Sequence, residues 1–365
     1  MFERDEPILL TPGPVSTSPR VRRALACANF SHREPAFSRL FERVGRALTR
    51  IAGAPRHEPL IVSGSGTAAT EAAFSSLISG RQTLLVPSNG AFGERLAEIA
   101  RAVGIPVRHL RYGWAEPIVP DDVRRIVTDG SAIGAVAVVH HETSVGCVNP
   151  VHEIGQALRS TGAKFFVDVV SSLGCEAFDA EASNVAVVIG TANKCLHAVP
   201  GVSFVLVRGD MWAADVSPRS VYFDLRRYRP ARPGGVSIPF TPAVHALAAF
   251  DEALRELDEE GGVPARMRHY QALNARLRAG LEQHGIQTCF AARPRSCALT
   301  VAAVPPGQTS EELYEALLGR GFVVYHAKGD LRERCVLVAN MGHLHVETID
   351  RFLDAVAAVV PAGTR

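Results

Sequence analysis

From Val185 to Val207 the chain reads VAVVIGTANKCLHAVPGVSFVLV, two β-branched apolar runs joined by a loop of small residues. Short apolar runs bounded by turn residues read as buried strands, so the pattern predicts neighbouring interior strands at 185–189 and 202–207. With His197 neutral, Lys194 carries the one formal charge of that stretch. Burial disfavours an ammonium and lowers its pKa, which makes Lys194 a candidate Schiff-base nucleophile. A loop lysine reaching solvent is the plain alternative, and two other stretches argue against it.

The first is Lys164–Gly174, KFFVDVVSSLG. Phe165-Phe166-Val167 is a short strand with Asp168 at its carboxyl end, where open α/β sheets place their ligands. A carboxylate there suits a metal ligand, a helix N-cap, or the acid that pyridoxal phosphate (PLP) needs against its pyridine nitrogen. The second stretch is Leu60–Thr70, LIVSGSGTAAT, a strand running into Ser63-Gly64-Ser65-Gly66-Thr67 and then a helical pattern. Glycines let backbone approach a phosphate, hydroxyls donate to it, and a helix N-terminus adds unpaired N–H groups. The loop lacks the lysine of a Walker motif and the acidic follow-up of a dinucleotide fingerprint.

A phosphate cup, a strand-end carboxylate and an apolar-flanked lysine, in that order, match the layout of fold-type I PLP enzymes. Further stretches narrow the match: LLTPGPV at 9–15, SGSGTAATEA at 63–72, SNGAFGERL at 88–96 and VVHHETSVGCVNPVHEIG at 138–155. VDVVSSLG at 167–174, ANKCLHAVPGVSFVL at 192–206 and F-T-x-x-x-H at 240–245 continue it. On these the chain resembles the class V aminotransferases, and within them the 2-aminoethylphosphonate–pyruvate transaminases.

The resemblance implies a large, doubly wound, mostly parallel seven-stranded sheet domain and a small C-terminal α/β domain. Residues 1–15 would cross the active-site mouth, 16–255 would bind PLP and 256–365 would form the small domain. It implies that Lys194 holds the cofactor and then shuttles a proton, while Asp168 keeps the ring nitrogen protonated. Ser65, Gly66 and Thr67 would hold the phosphate, with Thr241 reaching it across a homodimer. Phe92 would stack on the ring where the family usually has tyrosine. Thr143 would lie near the ring hydroxyl with Glu142 in support, and Pro12 and Gly13 near the substrate. The implied reaction moves an amino group from 2-aminoethylphosphonate, or a related small amine, to pyruvate.

One position departs from the pattern. The family's substrate-clamping arginine falls on Leu337, in Cys335–Gly342, and a leucine cannot hold an acid group bidentately. Either Arg33, Arg332, Arg334 or an arginine of the 226–232 loop takes over, or the substrate differs. The alternatives are a PLP-dependent lyase on the same fold and a non-catalytic PLP-fold binding protein.

Composition closes off other classes. A length of 365 residues suits two domains, and a net charge of +2 argues against nucleic acid or membrane as the main partner. No apolar run reaches the roughly 20 residues of a membrane span, and MFERDEPILL does not read as a signal peptide. The seven scattered cysteines read as reduced cytoplasmic thiols. His140-His141-Glu142 has the wrong spacing for a zinc site, so no metal is expected.

Periodicity predicts helices at 18–26, 38–51, 67–77, 94–103, 151–160, 244–260, 264–284, 310–320 (capped by Ser310) and 346–360. Besides those named, strands are expected at 83–86, 104–110, 134–139, 297–304, 321–325 and 334–339. The arginine-rich segment 224–235 reads as a loop near the dimer interface or the active-site entrance, and 361–365 as a frayed tail.

Overall fold

Strands that are apolar on both sides need helices on both faces, and this requirement sets the architecture. In a computed structural model, residues 6–27, 29–130, 132–213, 216–231, 236–291 and 293–360 are described. The first half contains β1 (Ile8–Leu9), α1 (Pro19–Leu25), α2 (Pro35–Ile51), β2 (His57–Ser63), α3 (Gly66–Leu77), β3 (Thr83–Ser88) and α4 (Ala91–Ala102). Next come β4 (Val107–Arg111), α5 (Pro120–Thr128), β5 (Ile133–Val139), β6 (His141–Glu142), β7 (Cys147–Val148), α6 (Val151–Leu158) and β8 (Lys164–Asp168). Then follow β9 (Val187–Thr191), β10 (Val202–Arg208), α7 (Leu225–Tyr228), α8 (Val244–Glu259) and α9 (Gly262–Gln283). The chain closes with β11 (Leu299–Ala303), α10 (Ser310–Leu318), β12 (Phe322–Val323), β13 (Tyr325–His326), β14 (Cys335–Ala339) and α11 (Val346–Val359).

Seven strands form the main sheet in the order β2-β10-β9-β8-β5-β3-β4. Those from β9 to β4 run parallel, and β10 is antiparallel to both β9 and β2. Alternation along β5 shows the two-sided burial. Val136 and Val138 join the core under α2, α6 and α8, while Ala135, Ala137 and Val139 join the one under α3 and α4. A smaller sheet, β11-β14-β13, packs with α9, α10 and α11 around Leu273, Leu277, Phe352 and Val338. The N-terminal strand β1 pairs in parallel with β12, so the start of the chain is tied to its last third.

Several expectations need correcting. The strand expected at 321–325 is two: β12 turns to β1, and β13 to β14. The cap of α10 is Thr309, which exchanges bonds with Glu312 in a capping box, rather than Ser310. α4 starts at Ala91, so Phe92 sits in its first turn. α5 was not foreseen, although Pro120 at its start and Asp121-Asp122 in its first turn are helix signals. Within 224–231 the chain is a one-turn helix capped by Asp224, not a plain loop, because that carboxylate accepts from the Arg226 N–H. Arg232 and the other residues of 232–235, part of the expected mouth segment (1–5) and the expected tail (361–365) lie outside the described residues.

Gly155 on α6 measures how closely the helices lie on their surroundings. A Cβ there would stand 1.8 Å from the Ser183 carbonyl oxygen. Gly155→Ala is expected to cost about 3 kcal/mol and to lower the thermal midpoint by several degrees. A midpoint unchanged in calorimetry would contradict this packing.

Candidate active site

The lysine turn is built from behind. Thr191, ending β9, donates to the Val202 carbonyl (3.1 Å) and to Asn193 (2.8 Å), closing the turn between β9 and β10. Arg266 of α9, 1% exposed, donates to the Cys195 carbonyl (3.0 Å) and pairs with Glu260 (2.7 Å). His197, with φ of +60°, bonds the Tyr270 hydroxyl, which in turn accepts from the Gly342 N–H (2.9 Å). In front, Lys194 Nζ donates to the Pro12 carbonyl. Gly13 is needed there: a Cβ would fall 2.5 Å from the lysine Cδ, and φ is +121°. Tyr325 donates to the Gly13 carbonyl (3.1 Å) and pins the segment in place. Burial lowers the Lys194 pKa to about 8, although Cys195 and Asp168 oppose the shift.

Asp168 ends β8. One carboxylate oxygen accepts from the Val170 N–H (2.8 Å), and the other has no hydrogen-bond partner among the described residues. Burial raises this acid to about 6, with Lys194 and Arg95 pulling the other way. A half-buried acid with an idle oxygen is suited to a protonated ring nitrogen, which would return it to the ionised form.

Phe92 is presented by Glu142 rather than by its own helix alone. The buried Glu142 carboxylate accepts from the N–H groups of Phe92 (3.0 Å) and Gly93 (2.9 Å) and from the Ser144 hydroxyl (2.5 Å). Glu142 therefore caps α4, and this replaces the expected support of Thr143, which is buried in the turn between β6 and β7. Burial raises the Glu142 pKa, and the hydrogen bonds it accepts oppose that.

At the third corner Ser65 caps α3 through the Ala68 N–H (3.4 Å), with Gly66 and Thr67 opening the helix. A Cβ on Gly66 would stand 2.7 Å from Val170, so this glycine lets the cup lie against the Asp168 strand end. Thr241 is exposed, and the Ala243 N–H bonds Ser63 (2.9 Å), which holds its segment beside the end of β2. An amine with lowered pKa, an acid with an idle oxygen, an aromatic face and a helix N-terminus together fit PLP. A cavity of about 1000 Å³ lined by Ile51, His140, Phe178 and Leu257 does not include Lys194 or Asp168 and lacks this donor set.

Of the foreseen substrate arginines, those at 226, 229, 332 and 334 have partners of their own, and among the described residues the Arg33 side chain does not. Arg33 is exposed, Arg332 lies 3.8 Å from Glu333, and Arg334 donates to the Asp330 carbonyl. Arg226 pairs with Asp224 (2.8 Å) and Arg229 with Glu58 (2.9 Å). Leu337 is 2% exposed, packed in a cluster with Val15, Cys195 and Tyr270. Two cations that the sequence reading missed face the site instead. Lys328 Nζ lies 4.5 Å and the Arg95 guanidinium 4.9 Å from the centre of the Phe92 ring. Burial and Arg95 lower the Lys328 pKa. Scarcity was the available signal, because the chain has three lysines (164, 194 and 328) among 39 basic residues.

Comparison with known proteins gives one consistent answer. The family model for class-V aminotransferases matches residues 22–343. A 2-aminoethylphosphonate–pyruvate transaminase of Syntrophobacter fumaroxidans is 34% identical over 359 residues, covering 97% of this chain and 96% of that protein. One from Pseudomonas entomophila is 32% identical, covering 97% of each. Among solved structures, a ureidoglycine–glyoxylate aminotransferase from Bacillus subtilis superposes with a TM-score of 0.92 at 27% identity, covering 100% of this chain and 97% of that one. A subgroup IV aspartate aminotransferase from Thermus thermophilus gives 0.88 at 28%, covering 97% and 100%. Among the described residues no helix is long and apolar enough to cross a membrane.

The lowered lysine pKa has a direct readout, since only the neutral amine reacts with acylating reagents. In cofactor-free protein, acetylation of Lys194 by acetic anhydride, followed by peptide mass mapping, should rise about tenfold per pH unit and level off above about pH 8. A rate still climbing near about pH 10, the range of an unperturbed lysine, would contradict the burial described here.

Proposed function

The chain belongs to the class V aminotransferases, and from that premise we propose that it moves the amino group of 2-aminoethylphosphonate, or a related small aminophosphonate, to pyruvate. The products are phosphonoacetaldehyde, or its counterpart, and alanine. The enzyme is a PLP-dependent transaminase that takes small amines and keto acids. Relatives named for the 2-aminoethylphosphonate reaction, aligned over 96–97% of the chain at 32–34% identity, support this choice of donor and acceptor.

When bound, PLP supplies an aldehyde that captures an amine and a ring that draws electrons from the neighbouring carbon. The chain's own groups do the rest. Ser65, Gly66 and Thr67 hold the phosphate, joined by Thr241 across a homodimer. Phe92 would cover one ring face, Thr143 would lie by the ring hydroxyl, and the idle oxygen of Asp168 would keep the ring nitrogen protonated. Lys194 holds the cofactor between turnovers, then takes the proton from the amine-bearing carbon of the substrate. Its pKa, lowered to about 8, leaves a far larger fraction of the amine neutral near physiological pH than an ordinary lysine would have. Pro12 and Gly13, lying over the lysine, exclude water from that side.

The observation that carries this mechanism is a half-buried amine in the connection that follows β9 and a half-buried acid ending the neighbouring β8, each drawn back by the other's charge. We further propose that residues 1–15 line the mouth, that 16–255 and 256–365 are the two domains, and that the protein works in the cytoplasm. Seven cysteines without a disulfide suit a reducing compartment.

Holoenzyme given 2-aminoethylphosphonate without a keto acid should release one equivalent of aldehyde per site and stop. Pyruvate should restore turnover, with alanine and aldehyde formed in equal amounts. Sustained release without keto acid would overturn transamination in favour of elimination. Asp168→Asn should lower kcat about a hundredfold or more with the cofactor still held at Lys194; kcat within twofold of the parent would remove Asp168 from this role.

A further inference from the structure

The Phe92 ring gathers positive charge from two separate parts of the chain. Arg95 sits one helical turn beyond Phe92 on α4, with its guanidinium 4.9 Å from the ring centre. Lys328 arrives from the far end of the sequence, with Nζ 4.5 Å from the same centre. Backbone pairing explains how it gets there. Tyr325 pairs with Leu337, His326 with Val336, and the Ala327 N–H bonds the Cys335 carbonyl, so β13 delivers Lys328 just past the edge of β14. β14 itself brings no charge, since Cys335–Ala339 are all apolar and buried.

The two charges repel, since besides burial Arg95 lowers the Lys328 pKa, and a fold normally pairs each with a carboxylate. Among the described residues the side chains of Arg95 and Lys328 have no ion pair and no hydrogen bond. The acids in the neighbourhood are committed: Glu142 to the start of α4, and Asp168 to the Val170 N–H on one oxygen with Lys194 nearby. An aromatic face stabilises a cation while leaving its N–H edges free, so both groups are held in place with donors to spare. Cations preorganised in this way, beside the reactive lysine, call for an anion that arrives with the substrate.

We propose that Lys328 and Arg95 form the seat for the acid group of the amine substrate, and that the pair selects a doubly ionised acid over a carboxylate. This rests on the reading that the donor is an acid-bearing amine. A single carboxylate is matched by one cation. A phosphonate resembles a phosphate monoester, with roughly two charges near neutral pH and three acceptor oxygens, and it matches two. Charge-assisted bonds from a guanidinium and an ammonium to separate oxygens would also fix the direction in which the amine points. The selected class is thus small primary amines carrying a phosphonate.

Unreactive analogues separate this seat from the chemistry. By titration calorimetry on holoenzyme at pH 8, ethylphosphonate should bind at least about tenfold more tightly than propionate. Lys328→Met and Arg95→Met should each weaken ethylphosphonate about tenfold or more, and Lys328→Arg should keep it within about threefold. The cofactor affinity should stay as in the parent. Ethylphosphonate affinity within twofold of the parent in both Met variants would overturn the seat, as would loss of the cofactor without loss of ethylphosphonate. If 2-aminoethylphosphonate proves not to be a donor while the variants still lose ethylphosphonate, the seat stands and the donor assignment fails. Undiminished use of 2-aminoethylphosphonate by both Met variants removes the seat and leaves the assignment.

Discussion

An amine held out of water is the constraint on which the rest of this molecule depends. An ammonium loses hydration when it is buried, and the free energy is recovered by shedding the proton or by finding an anion. Lys194 has both routes, with Asp168 at the end of β8 and a pKa lowered to about 8, so that it sheds its proton far more readily than an exposed lysine. The main sheet serves this pairing. Parallel β8 and β9 bring their carboxyl ends side by side, and antiparallel β10 returns the chain so that Lys194 sits in the ten-residue connection 192–201 instead of a helical crossover.

Helix α9 supplies the rigidity from behind. Arg266 ties the turn to the helix through the Cys195 carbonyl, and Tyr270 ties it to Gly342. One turn further on, Asn274 donates to Asn340 (2.8 Å) and Thr300 (3.2 Å), buried polar groups that join the helix to β11 and the end of β14. The same helix thus supports the lysine and carries the small sheet. Lys328 and Tyr325, which reach back over the site, hang from that sheet.

The candidate lysine, acid and phosphate cup could be proposed from the sequence because each signal is local: a charge between apolar runs, a carboxylate closing a strand, glycines and hydroxyls before a helix. The parallel sheet was legible for the same reason, through its alternation of short apolar runs and helical periods. What escaped was tertiary. Nothing near Arg95 or Lys328 announces that one aromatic ring draws both, because 233 residues separate them and their meeting depends on how β13 pairs. Glu142 was expected, by resemblance, to support Thr143, whereas adjacent side chains on an extended segment point apart and this one caps α4. Burial of Leu337 could be expected from its strand, but the source of a substitute charge could not.

The central claim is that one buried amine, out of three lysines, carries the cofactor. Borohydride reduction of PLP-loaded protein, followed by digestion and mass mapping, tests it most directly. The account predicts a single pyridoxyl tag, on the peptide containing Lys194. A tag on Lys164 or Lys328, or no tag in cofactor-loaded material, would contradict it.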